Sequence, residues 1–359
     1  MHFRARFTGK SIAFKKLQNL LKPCDFTNKL DEKVRFGRYQ VKRAQSWEEL
    51  WTIFAARPDA YPIAGGTDII PRVNQGIEHH ELYVTIDGLP DMRDVTVLAD
   101  GSIRIGALTK LVEIGEEDAL SDFRALREAC SRVASPQIRN QATLGGNVLQ
   151  ENRCVYFNQS VSWRREEPCF KLGGNRCYQY QRSPECVALF QSDAAPVLIA
   201  YGAYAEWKSP RGVRTSPLEE LYLPAGRKAK GKDEILTALI IPKAGGKLHS
   251  AYVRQTIRKS FDFPLVSCAV ALWTENETIQ KAAVVIGSAG VRPQIAADAG
   301  RLLLGKTLSE AVAESEKIQD LAAKKIMPFK DSRVDGPTRK ALGKDAVKRA
   351  LMETCCSEQ

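Results

Sequence analysis

PIAGGTDI, at residues 62–69, runs from an apolar strand through the glycine pair Gly65 and Gly66 into the next element. A loop of this kind can turn several backbone N–H groups toward one phosphate, because glycine places no Cβ in the way. A second glycine pair occurs in TLGGN, at residues 143–147. Each loop alone is typical of a plain strand turn, but two in one domain could hold the two phosphates of a dinucleotide. Neither matches G-x-G-x-x-G, so a Rossmann site is disfavoured.

A third glycine motif, GRLLLGKT at residues 300–307, fits the P-loop pattern G-x-x-x-x-G-K-[ST]. A P-loop follows a strand and opens a helix, whereas the apolar residues before Gly305 continue a helix that this glycine ends. We therefore predict no nucleotide site there. The Gly- and Lys-rich stretch at residues 226–232 is predicted to be a surface loop.

Four of the nine cysteines lie in one window of 33 residues, with spacings of 15, 8 and 9: Cys154, Cys169, Cys177 and Cys186. Zinc sites usually bring ligands in close C-x-x-C pairs, which this window lacks. Four separated thiolates suit a 4Fe-4S cluster, whose negative charge would be offset by Arg153, Arg164, Arg165, Lys171 and Arg176. A zinc site and unligated thiols remain alternatives on spacing alone. His79 and His80, each beside a glutamate, are expected to be an exposed pair.

The chain of 359 residues has the length of two domains, and its 44% hydrophobic and 26% charged residues are typical of a soluble globular protein. Its apolar runs are too short to span a membrane. Of the net charge of +11, residues 1–43 contribute +9. The remainder is nearly neutral, which disfavours a nucleic-acid-binding face. The basic leader lacks a secretory signal, so we expect a cytoplasmic protein. We expect this leader to be a loose arm or the product of an upstream start codon, with a docking or targeting segment as the alternative.

The periodicity after residue 39 predicts alternating strands and helices, including a helix capped by Ser46 with Glu49 three residues on. Residues 142–149 are predicted to form a glycine-interrupted strand or loop, and residues 197–207 a strand. Beyond residue 246, strands precede helices, which indicates an α+β layer with helices on one face of an antiparallel sheet. The predicted segments are a basic extension (1–37), a first domain (38–246) with an inserted loop (151–190), and a C-terminal domain (247–359).

Read together, these loops resemble the flavoprotein subunit of the xanthine oxidase family of molybdenum enzymes. The resemblance covers residues 38–352 and rests on PIAGGTDI, SPQIR at 135–139, TLGGN, Asp193 ahead of Ala195-Pro196, FDFPL at 261–265 and Gly287-Ser288. The cysteine insertion, including CVYFNQS at 154–160, resembles the beta subunit of 4-hydroxybenzoyl-CoA reductase, which carries FAD and a 4Fe-4S cluster. With this resemblance added, the cluster is favoured over zinc.

The resemblance implies a two-subdomain FAD-binding fold of the vanillyl-alcohol oxidase (PCMH) type, followed by a CO dehydrogenase flavoprotein-like C-terminal α+β domain. It implies metal ligation by Cys154, Cys169, Cys177 and Cys186, and no catalytic residue on this chain. The implied FAD-binding residues are Ile63, Ala64, Gly65, Gly66, Thr67, Asp68, Ile69, Val133, Thr143, Gly145, Gly146, Asn147, Asp193, Leu236 and Arg254. Two positions depart from the pattern: the family often has Lys at Arg254, and the similar reductases have Gly at Ser192.

The resemblance also implies an electron-transfer subunit that works only in a complex. A flavin exchanges electrons singly or in pairs and iron–sulfur clusters pass them singly, whereas substrate would be transformed on a molybdenum partner. In the reductase, electrons run from ferredoxin through the 4Fe-4S cluster and FAD to a 2Fe-2S small subunit and a molybdenum large subunit, within a dimer of heterotrimers. That complex dehydroxylates an aromatic acyl-CoA. The alternative is outward flow in a xanthine, aldehyde or N-heterocycle dehydrogenase. A zinc-stapled, flavin-free assembly protein is disfavoured because both glycine loops are intact.

Overall fold

The structure, a computed structural model, describes residues 39–243, 245–327 and 329–356. The predicted basic extension at 1–37 lies outside the described residues. The strands are β1 (Gln40–Arg43), β2 (Tyr61–Ile63), β3 (Leu82–Thr85), β4 (Val95–Val97), β5 (Ile103–Gly106), β6 (Tyr204–Ser209), β7 (Gly212–Pro217), β8 (Ile235–Ile241), β9 (Lys247–Gln255), β10 (Val266–Glu275), β11 (Thr278–Gly287) and β12 (Gln294–Ile295). The helices are α1 (Trp47–Ala56), α2 (Ile69–Asn74), α3 (Leu111–Glu116), α4 (Arg124–Ser131), α5 (Pro136–Arg139), α6 (Leu144–Leu149), α7 (Ala194–Ala200), α8 (Ala297–Leu303), α9 (Leu308–Ala313), α10 (Ser315–Ala323) and α11 (Gly336–Cys356). Within these ranges no helix is both long and apolar enough to cross a membrane.

A small parallel sheet, ordered β1-β3-β2, places the first glycine loop directly after the carboxyl end of β2. Helix α1 begins where the sequence predicts. The Ser46 hydroxyl accepts a hydrogen bond from the Glu49 backbone N–H at 3.2 Å, and the Glu49 carboxylate accepts one from the Gln45 N–H at 2.8 Å. This reciprocal capping satisfies two N–H groups that the first turn cannot pair internally.

A five-stranded antiparallel sheet, ordered β4-β5-β8-β6-β7, forms the second subdomain. The predicted strand over 197–207 is wrong in its first half, because residues 194–200 form helix α7 and the strand begins only at Tyr204. Every residue of α7 is buried. A helix surrounded by core on all sides is apolar all round, so its sequence has no period that separates it from a buried strand.

The second glycine loop opens a helix, so the predicted strand or loop over 142–149 is also wrong. The Thr143 hydroxyl caps α6 by accepting a hydrogen bond from the Gly146 N–H at 3.1 Å. Gly145 packs against the chain that leaves β5, where a Cβ on it would stand 2.9 Å from the Ala107 carbonyl oxygen. The glycine pair therefore allows close packing of a helix that propensity alone disfavours.

The C-terminal domain confirms the predicted α+β layer: an antiparallel sheet ordered β12-β11-β10-β9, with α8 to α11 on one face. Along β10, Cys268, Val270 and Leu272 belong to the core with these helices, whereas the alternate residues belong to the core of the first domain. The P-loop look-alike at 300–307 spans the end of α8. Gly305 takes a φ of +74°, and Thr307 caps α9.

The insertion at 151–190 contains no helix or strand beyond short 3-10 turns at Val161–Trp163 and Phe170–Leu172, as its lack of periodicity predicts. Its base is closed by a pair of backbone hydrogen bonds between Arg153 and Leu189, of 2.7 and 2.9 Å. Its interior is small and joins Cys177 and neighbouring apolar residues to Phe329 of the C-terminal domain. The insertion is thus held between the two domains.

Candidate functional site

A cavity of about 530 Å³ lies between the two glycine loops, a size in the range of cofactor sites. Most of the residues predicted to bind FAD line it. They are Ile63, Ala64, Gly65, Gly66, Thr67, Asp68, Ile69, Thr143, Gly145, Gly146 and Leu236. The structure therefore brings together two loops that are far apart in the sequence.

The first glycine loop carries a run of free backbone donors. Among the described residues, none accepts a hydrogen bond from the backbone N–H groups of residues 65–68. Gly66 has a φ of +73°, a conformation that favours glycine. A Cβ on Gly65 would stand 2.0 Å from the Gln141 carbonyl oxygen, so only glycine fits there. Four consecutive free N–H groups at a cavity wall suit an anionic ligand.

The second glycine loop differs, because its N–H groups are already paired within the protein. The Gly145 N–H donates to the Ala107 carbonyl at 2.8 Å, the Gly146 N–H to the Thr143 hydroxyl, and the Asn147 N–H to the Thr143 carbonyl at 2.9 Å. The hydrogen bonding therefore favours the first loop as the phosphate cradle. A phosphate contact from the second loop stays a prediction.

Asp68 ties the first loop to the cysteine insertion. Its carboxylate accepts a hydrogen bond from the Glu151 N–H at 3.1 Å and pairs with the guanidinium groups of Arg153 at 2.8 Å and Arg72 at 3.2 Å. Glu151 in turn pairs with Lys171 at 2.7 Å. Burial alone would raise the pKa of Glu151, but Lys171 and the Asn152 N–H hold it below its ordinary value. The cavity wall is therefore built partly from the insertion.

Several lining residues were not predicted from the sequence. Lys228, Lys230 and Lys232 line the cavity, so the stretch at 226–232 is more than the surface loop that composition predicts. The Lys228 ammonium lies 4.3 Å from the ring centre of Phe190 and 5.1 Å from that of Tyr222. Burial lowers its pKa to about 8. The alternate spacing of the three lysines is a signal that one face of an extended loop is positive.

His80 also lines the cavity, whereas only His79 is exposed as expected of the pair. The His80 ring stacks on Tyr61 at 4.4 Å and hydrogen-bonds to Glu78 at 3.0 Å. Glu78 also pairs closely with the buried Arg72. His80 thus belongs to a polar network behind the first loop, and no spacing in the sequence indicates this.

The remaining predicted FAD residues, Val133, Asn147, Asp193 and Arg254, do not line this cavity. Asp193 is buried, 3.3 Å from Arg254 and 2.6 Å from the Tyr252 hydroxyl that donates to it. Burial raises the pKa of Asp193, against the lowering effect of Arg254. Asn147 accepts a hydrogen bond from Ser192 at 2.6 Å. These four residues stay a prediction as FAD ligands.

Arg254 has contacts that a lysine could not reproduce. Besides facing Asp193, its guanidinium donates to the backbone carbonyls of Arg132 and Asp262 through two separate nitrogens. A lysine has one nitrogen and could not reach three sites with this geometry. The departure from the family pattern is therefore matched by local contacts.

The four clustered cysteines, Cys154, Cys169, Cys177 and Cys186, line a single small hollow in the insertion. Backbone N–H groups donate to two of the sulfurs: Tyr180 to Cys177 at 3.4 Å and Ala188 to Cys186 at 3.5 Å. Burial raises the pKa of Cys154 to about 11. In the described part of the chain, no three His, Cys, Asp or Glu side chains are placed to hold a metal ion. The hollow measures about 10 Å³, about the space that one water molecule needs.

Two family models match this chain in sequence. Residues 36–244 match the FAD binding domain in molybdopterin dehydrogenase, and residues 251–354 match the CO dehydrogenase flavoprotein C-terminal domain. The chain belongs to the family of FAD-binding subunits of molybdenum hydroxylases. It is therefore a subunit of an FAD-dependent oxidoreductase, and FAD is its cofactor.

Relatives of the same family span most of the chain. The xanthine dehydrogenase FAD-binding subunit of Escherichia coli O157:H7 is 27% identical over 286 residues, which cover 78% of this chain and 85% of the relative. The aldehyde oxidoreductase FAD-binding subunit PaoB of Escherichia coli (strain K12) is 31% identical over 60% of this chain and 71% of its own length. A chain of reconstituted CO dehydrogenase from Oligotropha carboxidovorans superimposes with a TM-score of 0.72 at 23% identity, covering 89% of this chain and 98% of its own. This confirms the predicted fold.

Proposed function

We propose that this chain is the FAD and 4Fe-4S electron-transfer subunit of a molybdenum-containing complex similar to 4-hydroxybenzoyl-CoA reductase. In this role it passes electrons from a ferredoxin-like donor toward the molybdenum subunit for reductive dehydroxylation of an aromatic acyl-CoA. The observation that carries the proposal is that four separated cysteines of one insertion line a single hollow beside the FAD cavity. Its partners would be a molybdenum large subunit and a 2Fe-2S small subunit, in a dimer of heterotrimers.

The second candidate is an FAD subunit that passes electrons outward in another molybdenum hydroxylase. Relatives named as xanthine dehydrogenase and aldehyde oxidoreductase subunits favour it. So does the placement of the thiols, which do not form a ready metal site among the described residues. In this case the insertion would be structural or would hold zinc. The metal content of the purified chain separates the two candidates.

For FAD, the free N–H groups of residues 65–68 would hold the pyrophosphate, and Lys228 would add a positive charge in the same cavity. Bound FAD supplies a group that exchanges electrons singly or in pairs. Ile63, Leu149 and Leu236 add apolar side chains to the cavity lining, and such side chains suit a flat ring system. The residues of this chain thus bind and orient the cofactor.

For the cluster, the donor set fits by its chemistry: four cysteine sulfurs, two of them already accepting backbone N–H groups. Hydrogen bonds to cysteine sulfur are one of the means by which proteins tune such clusters. Lys171 and Arg176 line the same hollow, and each of them also pairs with a carboxylate. Gly174 shapes the turn after Cys169, because a Cβ there would stand 1.8 Å from the Pro168 carbonyl oxygen.

We also propose the predicted division into an FAD-binding domain at 38–246, a cluster loop at 151–190 and a C-terminal domain at 247–359. Two large hydrophobic cores support it, one made mostly of residues before 246 and the other of residues from 253 onward.

Fewer basic residues around the cysteines are free to attract a ferredoxin-like donor than the number of such residues in the sequence indicates. Of the basic residues around the cysteines, Lys171 and Arg176 are paired with carboxylates, and Arg164 is bonded to backbone carbonyls. Arg165 has no acidic partner within the described residues and lies 4.9 Å from the Tyr178 ring centre. Trp163, beside it, is 77% exposed. An exposed aromatic next to a free cation suits an acidic partner surface.

Reduced ferredoxin should therefore reduce the FAD of the isolated chain, and faster at low salt than at high salt. Arg165→Glu should slow this reduction about tenfold at low salt. Stopped-flow absorbance of the flavin measures the rate, and Arg301→Glu, on an exposed part of the C-terminal domain, is the matched control. Equal rates with and without the metal group would show that the insertion is structural and would favour the second candidate.

FAD affinity should fall as pH rises from 7 to 9, because Lys228 loses its proton near pH 8 and with it an attraction to the FAD phosphates. Glu151 stays ionised over this range, since its pKa lies below its ordinary value. We expect the dissociation constant to rise about fivefold in the wild type and clearly less in Lys228→Met. A remaining dependence would come from Lys230, which lines the same cavity and whose pKa is also lowered by burial. Fluorescence titration of flavin-free protein measures it. A wild type and a variant with the same pH profile would contradict the role of Lys228.

A further inference from the structure

One ion pair connects the thiol hollow to the FAD cavity. Lys171 lies in the 3-10 turn after Cys169 and lines the hollow, with only 11% of its side chain exposed. Its ammonium is 2.7 Å from a carboxylate oxygen of Glu151. Glu151 lines the FAD cavity. The two side chains therefore form a direct link between two sites that share no lining residue among the described residues.

Glu151 also contacts the phosphate cradle itself. Its backbone N–H donates to the Asp68 carboxylate at 3.1 Å, at the end of the run of free N–H groups. The FAD pyrophosphate carries negative charge, so the Glu151 carboxylate, next to that of Asp68, opposes its binding unless a cation neutralises it. Lys171 is the residue that forms a direct ion pair with it. In a partly buried wall such a charge is weakly screened by salt.

We propose that Lys171 is a positioning residue that neutralises Glu151 in the FAD cavity wall and so couples the cysteine insertion to FAD binding. The inference deepens the proposed function and rests on it in taking this cavity as the FAD site. The direction of this coupling follows from the opposite charges of Lys171 and Glu151. When Lys171 is withdrawn from Glu151, FAD binds more weakly; by reciprocity, bound FAD holds Lys171 and the turn after Cys169 in place.

The test is a double-mutant cycle on the full chain after removal of FAD. Lys171→Met should raise the FAD dissociation constant about tenfold. Glu151→Gln should bind FAD at least as tightly as the wild type, and Lys171→Met with Glu151→Gln should return to within about threefold of it. Lys281→Met, which removes a lysine stacked on Trp273 in the C-terminal domain, controls for the loss of net charge. Fluorescence titration with FAD gives all the affinities.

A second readout follows the insertion without any metal. In metal-free protein, bound FAD should slow alkylation of Cys169 by iodoacetamide about fivefold, measured by peptide mass spectrometry, and Lys171→Met should abolish this protection. Unchanged FAD affinity in Lys171→Met, or a double variant as weak as Lys171→Met, would overturn the inference. Should Lys171→Met fail to fold, a tenfold loss of affinity in Glu151→Gln would overturn it equally. An absence of iron would defeat the cluster assignment alone, because neither readout depends on metal.

Discussion

Gly65→Ala should yield a chain that folds its C-terminal domain but purifies without FAD. A Cβ at this position would lie 2.0 Å from the Gln141 carbonyl oxygen and 2.8 Å from its carbon, and backbone atoms cannot yield as a flexible side chain can. The Lys110 ammonium holds the same carbonyl at 2.9 Å, just before the second glycine loop. The alanine must therefore displace one of the two loops that form the cavity. We expect FAD affinity to fall at least about a hundredfold.

Gly245→Ala is the matched control, since a Cβ there would meet no atom within 4 Å. The measurement is flavin absorbance per chain after gel filtration, with thermal unfolding to show that both variants fold. Bulky residues at Gly66 and Gly146 should also lower the FAD content. Gly66 has a positive φ, and a Cβ on Gly146 would stand 3.0 Å from the capping hydroxyl of Thr143. Full FAD content in Gly65→Ala would contradict the placement of the cradle.

Cys177→Ser should remove the iron almost completely and loosen the insertion. Cys177 is the most buried of the four clustered thiols, 8% exposed, and packs with Val187, Leu189 and Phe329. Serine cannot replace a thiolate as a cluster ligand with comparable strength, and its hydroxyl is costly in an apolar interior. We expect iron to fall from about four atoms to below one per chain. Serine at Cys154, Cys169 or Cys186 should have the same effect.

FAD should remain bound in these variants at stoichiometric concentrations, because the glycine loops are its main binding site. Loosening the turn that carries Lys171 should weaken FAD binding by no more than the roughly tenfold expected of Lys171→Met. Iron analysis measures the metal content, flavin absorbance measures the FAD content, and limited proteolysis measures how loose the insertion has become. Cys356→Ser, at the exposed end of α11, is the control that should keep its iron. A Cys177→Ser chain with wild-type iron content would show that these cysteines are not the ligands.

The sequence predicts local features of this fold well. The start of α1 follows from Ser46 and Glu49, and the end of α8 from Gly305, because each depends on contacts within a few residues. The predictions of a strand or loop where α6 and α7 lie are wrong because these helices depend on contacts with distant residues. The glycines of α6 are tolerated because Ala107 packs against Gly145, and α7 is apolar all round because it is enclosed. Both facts depend on partners distant in the chain.

At the functional site, too, the sequence predicts what depends on nearby residues and misses what depends on distant ones. The two glycine loops and the four cysteines were found because each motif carries its chemistry within a short segment. The alternate spacing of Lys228, Lys230 and Lys232 indicates a positive face but not the cavity that it lines, and a lone glutamate or histidine such as Glu151 or His80 gives no signal at all. Conversely, Asp193 and Arg254 carry a recognisable pattern, but their described contacts are with each other, with Tyr252 and with backbone carbonyls outside the cavity. Spacing identifies a motif and leaves open which atoms face the ligand.

The most direct test of the proposed function is the cofactor content of the full chain purified without oxygen. Flavin absorbance, iron, acid-labile sulfide and zinc are measured on one sample, per chain. The proposed function predicts about one FAD, about four irons and about four sulfides, with no zinc. One FAD per chain together with zinc, or with no metal at all, would contradict it and leave the chain as the FAD subunit of another molybdenum hydroxylase.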